Sequence, residues 1–340
     1  MTPTSLRAGV VGAGLMGRWH AHAIRNVGGR VVALIDRDVE RARRLSARLP
    51  HRPAVEFDLA HALRVHRVEV LHVCTPLATH DAIARLAIEA GVPALVEKPL
   101  ATDAATTEAL FALAEARGVL LCPVHQFLFQ PGILAAERAM ATLGALRQLD
   151  LVACSAGADG VSDVEREAVA RDILPHGLAL ARRLIGVSLG GADWRVSSGL
   201  PGEIRAMADV GGTSVMLAVS MRARPTENAL TARFDHGTVR ANLFHGFSII
   251  ERGTPSRLDK LGRPFLGSAQ AMVVATGNLM GRVVRREPAY PGLRELVRRF
   301  HLACAGRAPS PVSVDESIDV ARARDSIGEA RRSRELHSES

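Results

Sequence analysis

Three glycines set directly behind an apolar run constrain this chain more than any other feature. In "GVVGAGLMGRWHAHAI" (9–24), Gly12, Gly14 and Gly17 take the spacing GxGxxG between a strand-like and a helix-like stretch. Each has a separate task. The first permits a tight bend, the second lets backbone approach a ligand, and the third lets helix pack closely on strand, with an anion held at the helix N-terminus. A lone GxGxxG is weak, so its surroundings decide how it is read.

The surroundings fit. Short apolar runs ("AGVVG", "RVVALID", "VEVLHVC", "ALVEK", "VLLCPV") alternate with helical stretches at 15–26, 38–48, 79–90 and 103–116. Such alternation predicts a doubly wound parallel sheet covered by helices on both faces. Asp36 ends the second run, 19 positions past Gly17. A carboxylate there accepts hydrogen bonds from the adenosine ribose and repels a 2′-phosphate. The adjacent Arg37 could instead hold that phosphate, so NAD is the expected cofactor and NADP the alternative. Asp36 also has a plainer reading, as a cap of the next helix.

Beyond residue 145 the pattern changes. "LRQLDLVACS", "TSVMLAVSMR", "ALTARFDHGTVRANLF" and "FSIIERG" read as strands, with Asp235-His236-Gly237 as a hairpin signal. A largely antiparallel, open-faced sheet in an α+β domain is expected. "RDILPHGLALARRLI" is helical, with a start near Pro175, because proline is tolerated in a first helical turn. Residues 251–270 read as a long Gly/Pro/Arg loop, and helices are expected near 290–306 and 315–331. The domains follow as 1–123 (dinucleotide binding), 124–330 (substrate binding and oligomerisation) and 331–340 (flexible tail).

Composition excludes several classes. The chain has 340 residues, 47% of them hydrophobic, and a formal charge of +8. Its arginines are dispersed and it has one tyrosine, so no basic stretch is interleaved with stacking aromatics and no nucleic-acid partner is expected. No uncharged apolar run approaches the roughly 18 residues of a membrane helix, and the N-terminus lacks a signal-peptide core, so the expected place is the cytoplasm. Cys74, Cys122, Cys154 and Cys304 form no CxxC pair and read as free thiols. His20 and His22 diverge on one helix, His61 and His66 lack ligands at metal spacing, and no metal site is expected. "TSVMLAVSM" and "TVRANLF" suggest an apolar sheet face that no helix covers, and with it a homodimer or homotetramer.

Two further features carry chemistry. Lys98, in "ALVEKPLA", is one of two lysines beside 41 arginines, the other being Lys260. An ammonium whose pKa adapts to burial differs from a guanidinium where chemistry is done. Asp172 and His176 stand four apart in "RDILPH", on one face of a helix. By residue type alone, Asp172 is equally an N-cap and His176 a first-turn surface residue. Arg166, Arg171, Arg257, Lys260 and Arg263 would favour an anionic substrate if they converge, and solvated surface positions otherwise.

These residues resemble the Gfo/Idh/MocA family, the glucose–fructose oxidoreductase and inositol dehydrogenase group. The likeness rests on the glycine turn, "VCTPLATH" (73–80), "VEKPLA", the "DILPH" helix and "YPGLRELVRRFHLACAGRAPSPVSVDESIDVARARDSI". It implies an NAD(P)-dependent oxidoreductase that moves a hydride between nicotinamide and a secondary alcohol or carbonyl of a sugar, cyclitol or related polyol. It also implies Lys98, Asp172 and His176 as catalytic residues. Cofactor contacts are implied at Gly12, Gly14, Leu15, Met16, Gly17, Asp36, Arg37, Thr75, Pro76, His80, Glu97 and Lys98. The chain departs from the family's "RFxP" segment, with Leu128 before Phe129, at the usual substrate contacts near His125 and Gln126. A non-catalytic dinucleotide sensor and an NAD-dependent glycosidase are the alternative functions.

Overall fold

The computed structural model describes residues 5–338 apart from 156, 158, 198 and 254–256. Two compact units emerge: Met1–His125 with Leu293–Ile318, and Gln126–Gly292 with Asp319–Ser340.

In the first unit the expected alternation is realised as β1 (Arg7–Val11), α1 (Leu15–Asn26), β2 (Arg30–Ile35), α2 (Val39–Ser46), β3 (Ala54–Glu56), α3 (Leu59–Val65), β4 (Val70–Val73), α4 (His80–Glu89), β5 (Ala94–Val96), α5 (Ala104–Ala116) and β6 (Leu121–Pro123). The strands pair in parallel in the order β3-β2-β1-β4-β5-β6. This is the doubly wound dinucleotide-binding order, whose ligands gather at the carboxyl ends of the strands. Strand β3 escapes the sequence reading because it is an edge strand of three half-buried residues, "AVE", without the continuous apolar run of the inner strands. Val11, Ile35, Leu71, Val73, Val96 and Leu110 are among the buried residues of the core, which explains why these strands read as continuous apolar runs.

The second unit contains α6 (Pro131–Met140), β7 (Leu146–Cys154), α7 (Asp163–Ile185), β8 (Arg195–Ser197), β9 (Glu203–Val210), β10 (Thr213–Ser220), β11 (Glu227–Phe234), β12 (Gly237–Asn242), β13 (Phe247–Arg252) and α8 (Arg257–Val284). Its sheet runs β13-β12-β11-β7-β10-β9-β8, antiparallel except for the β7–β10 pair. One face packs against α7. The other is not the apolar face expected from the sequence: Gln148, Arg205, Asp209, Arg233 and Arg240 are exposed there beside Met207, and Arg233 pairs with Asp150. Strand alternation supplies the reason, since the valines and leucines of "TSVMLAVSM" point to the covered face and Ser214, Met216 and Ala218 to the other.

Two helices also differ from expectation. Helix α7 begins at Asp163 rather than near Pro175, because Ser162 and Glu165 close a reciprocal capping box at its true start. Pro175 therefore lies inside the helix, at a cost of about 3 kcal/mol offset by the buried Leu174, Leu178, Ala179 and Ala181. The stretch read as a loop at 251–270 enters α8 at Arg257. Apolar residues recurring every three or four positions from Phe265 onward sustain that helix despite Gly262, Pro264 and Gly267.

After these come α9 (Leu293–Cys304), which packs against α1 in the first unit, and α10 (Val314–Ser338), which carries helix into the expected tail as far as Ser338. No described helix is long and apolar enough to cross a membrane. All four cysteines are free, and burial pushes the Cys122 and Cys304 thiols up to about 12.

Candidate active site

The glycine turn follows β1 and opens α1. Gly12 sits at φ +93°, and a Cβ there would meet the Cys74 carbonyl oxygen at 2.6 Å. A Cβ on Gly17 would meet the Gly12 carbonyl oxygen at 1.8 Å, which is why only glycine lets α1 approach the strand this closely. Gly14 differs, since a Cβ there meets nothing within 4 Å. Gly14 is also the N-cap of α1 and supplies no side-chain acceptor, so the first-turn N–H groups around Leu15 and Met16 are left to a ligand. An open approach beside uncapped helical donors fits the pyrophosphate of a dinucleotide.

Asp36, at the carboxyl end of β2, turns one oxygen to the Ala13 N–H (2.7 Å) and the other to the Asp38 N–H (2.9 Å). The carboxylate thus fixes the glycine turn. The cap of α2 is Asp38, whose side chain accepts from the Arg41 N–H. Arg37 is exposed beside Asp36.

At the carboxyl end of β4, Thr75 is half-buried and Pro76 exposed. His80, at the start of α4, is buried with Nε2 2.8 Å from the Thr75 carbonyl and Nδ1 2.8 Å from the Pro99 carbonyl. It ties the turn after β4 to the EKP segment after β5. There Lys98 is half-buried and joined to Pro99 by a cis peptide bond, and its N–H donates to Glu97 Oε2 at 3.2 Å. The glycine turn, Asp36, Thr75, Glu97 and Lys98 therefore all follow strands at the carboxyl edge of one sheet.

Glu97 reaches further. Its Oε1 lies 3.1 Å from His20 Nε2 of α1. His20 Nδ1 lies 2.9 Å from His72 Nδ1 of β4, and His72 Nε2 lies 3.1 Å from His301 Nε2 of α9. The three imidazoles are fully buried. Sequence reading misses this cluster because four separate elements supply its members. A histidine inside an otherwise apolar strand, "VLHV", is its one local signal.

In the second unit, Asp172 and His176 lie on consecutive turns of α7, Asp172 exposed and His176 half-buried. The His176 ring stacks on Phe127, with centroids 4.3 Å apart and planes at 18°. Both line an apolar pocket with Ile173, Leu217 and Val219. Gln126 is buried, and its side-chain carbonyl has no hydrogen-bond partner among the described residues. Arg166 and Arg171 are engaged locally, by Asp163 and Glu167 respectively. The side chains of Arg257, Lys260 and Arg263 lie outside the described residues.

Residues 6–125 match the oxidoreductase family with an NAD-binding Rossmann fold, Gfo/Idh/MocA. Among curated proteins, the chain is 31% identical over 183 residues to UDP-N-acetylglucosamine 3-dehydrogenase of Acidithiobacillus ferrooxidans, a match over 53% of this chain and 55% of that protein. It is 37% identical over 142 residues to inositol 2-dehydrogenase of Paracoccus denitrificans, over 40% of this chain and 42% of that one. The chain thus spans about half the length of the curated relatives it matches. Its fold is shared with the WlbA dehydrogenase from Bordetella pertussis, solved in complex with NADH and UDP-GlcNAcA, at 17% identity and a TM-score of 0.78 over 98% of this chain and 97% of that one. Residues 6–125 are thus an NAD-binding Rossmann domain of the kind that the Gfo/Idh/MocA oxidoreductase family carries.

Proposed function

We propose that the protein is an NAD-dependent dehydrogenase acting on a secondary alcohol of a sugar, cyclitol or related polyol, with NADP as the alternative cofactor. The observation that carries the reading is Lys98 on the same carboxyl sheet edge as the glycine turn. The curated relatives named for inositol and UDP-N-acetylglucosamine support the substrate class.

A bound nicotinamide would supply the hydride acceptor. Gly12, Gly14, Leu15, Met16 and Gly17 would hold the pyrophosphate, and Asp36 and Arg37 the adenosine ribose. Thr75, Pro76, His80 and Glu97 would shape the nicotinamide end. Lys98 donates a hydrogen bond to the reacting oxygen and stabilises developing negative charge. His176 takes the hydroxyl proton, as suits an imidazole whose ordinary pKa is near working pH, and Asp172 orients it or bonds a neighbouring hydroxyl.

The protein is read as cytoplasmic and as a homodimer or homotetramer. The assembly contact is assigned to α8, where Phe265, Leu266, Met272, Val273, Leu279, Met280, Val283 and Val284 are each more than half exposed. Together they offer on the order of 800 Å², the share one partner contributes to a standard interface. A second copy presenting the same stripe is the complementary occupant.

The test is a screen of sugars, cyclitols and nucleotide sugars for nicotinamide absorbance change, followed by His176→Ala and Lys98→Met. Each variant should lose roughly 10²–10⁴-fold in turnover while still quenching or enhancing NADH fluorescence on binding. Near-normal turnover in both would overturn the residue roles. Dinucleotide binding with no turnover across the screen would favour a sensor. Release of free sugar without NADH accumulation would favour a glycosidase.

A further inference from the structure

The chain Glu97–His20–His72–His301 uses every facing nitrogen and oxygen in a single file, and that fixes where its protons are. An ionised carboxylate only accepts, and a neutral imidazole has one donor and one acceptor. Starting from Glu97 Oε1, His20 must carry its proton on Nε2 and offer Nδ1 as acceptor. His72 must then carry its proton on Nδ1 and accept at Nε2, and His301 must donate from Nε2. The file ends at His301 Nδ1, a buried atom with no hydrogen-bond partner among the described residues, which this arrangement leaves as a bare acceptor.

The reverse arrangement needs one more proton. It would put a hydroxyl on Glu97, turn every bond around, and leave a buried N–H orphaned at His301 Nδ1. An orphaned buried donor is rarer than an under-satisfied acceptor, so the first arrangement is favoured. Burial, then the charges His20 and His301 would carry, hold the His72 imidazole well below its ordinary range. Burial, then His20, pushes His301 down to about 4. Among the other groups near Glu97, the Cys74 thiol is pushed well up by burial and then by the Glu97 charge, so it does not compete as an anion.

We infer that His20, held in one tautomer by His72 and His301, is a positioning residue that keeps the Glu97 carboxylate turned onto the Lys98 backbone N–H. The file has a direction, running from α9 through the sheet to the segment that carries Lys98. Its importance for turnover rests on the dehydrogenase reading above, whereas its tautomer order does not.

The test therefore has two arms. In the unmodified protein, ¹⁵N NMR of the histidine side chains at pH 7.5, assigned by single His→Gln variants, should show His72 protonated on Nδ1 and His20 and His301 on Nε2. The Nδ1–H form is the minor one for a free imidazole, so its presence at His72 is diagnostic. An Nε2–H tautomer at His72, or an imidazolium at any of the three, overturns the inference whatever the enzyme does. In the second arm, His20→Leu removes the donor to Glu97 and should lower kcat by roughly 10-fold or more, the worth of a hydrogen bond to a charged group, with the NADH dissociation constant little changed. His20→Gln, whose amide N–H can stand in for Nε2–H, should restore most of that loss. Equal loss in the two variants, or a change confined to KM, overturns the positioning role. If His20→Leu does not fold, the spectroscopic arm decides alone.

Discussion

Gly12, Gly14 and Gly17 stand in one turn yet answer differently to an added methyl group. At Gly17 the Cβ would fall 1.8 Å from a carbonyl oxygen that cannot move without unmaking the turn. Gly17→Ala should therefore destabilise the protein by about 3 kcal/mol or more, read as a lower denaturation midpoint. At Gly14 there is open space. Gly14→Ala should stay within about 1 kcal/mol of the parent in stability and weaken dinucleotide binding by roughly 10-fold, seen by NADH fluorescence titration. Full binding by Gly14→Ala would show that no ligand approaches there. The bend at Gly12 and the close packing at Gly17 were legible in the sequence because each acts on residues near it. Asp36 was legible in place but not in detail, since its hold on the Ala13 and Asp38 N–H groups depends on how the turn folds back. The His20–His72–His301 file was not legible at all.

At the scale of elements, the strands of the first unit were readable wherever burial on both faces left a continuous apolar run, and β3, a half-buried edge strand, was missed because it has none. Helix α7 shows a different failure. Pro175 suggested a helix start, while the box formed by Ser162 and Glu165, ten or more residues upstream, set the real one. Asp172 is consequently a mid-helix residue, and the N-cap reading for it is excluded. Helix α8 was hidden by local punctuation, and its apolar stripe emerged only when its exposure was known. If that stripe joins two copies, static light scattering at about 10 µM should give at least a dimer. Met272→Glu with Leu279→Glu should give a monomer with unchanged thermal stability of the subunit. A monomeric parent protein would refute the α8 contact.

For the whole molecule, the decisive event is the return of α9 to the first unit, where it packs on α1 and delivers His301 to a site begun some 280 residues earlier. That burial predicts an acid-sensitive fold. Above pH 6.5 His301 is neutral both folded and unfolded and contributes nothing to the pH dependence. Between 6.5 and about 4 the unfolded chain takes up a proton that the folded one refuses, so stability falls as pH falls, by about 3 kcal/mol in all. Urea unfolding at pH 7.5, 5.5 and 4.5 should show this loss, and His301→Leu should flatten the profile. An unchanged profile in the variant would place the acid sensitivity elsewhere. By itself the sequence determined the parallel dinucleotide-binding sheet, the glycine turn, the acidic residue after β2 and Lys98 after β5, because periodicity and turn chemistry act over a few residues. Only the tertiary structure decided which sheet face is polar, where α7 begins, that α9 belongs to the first unit, and that three buried histidines meet behind Glu97. Those outcomes depend on which distant surfaces exclude water together, and no local pattern encodes that.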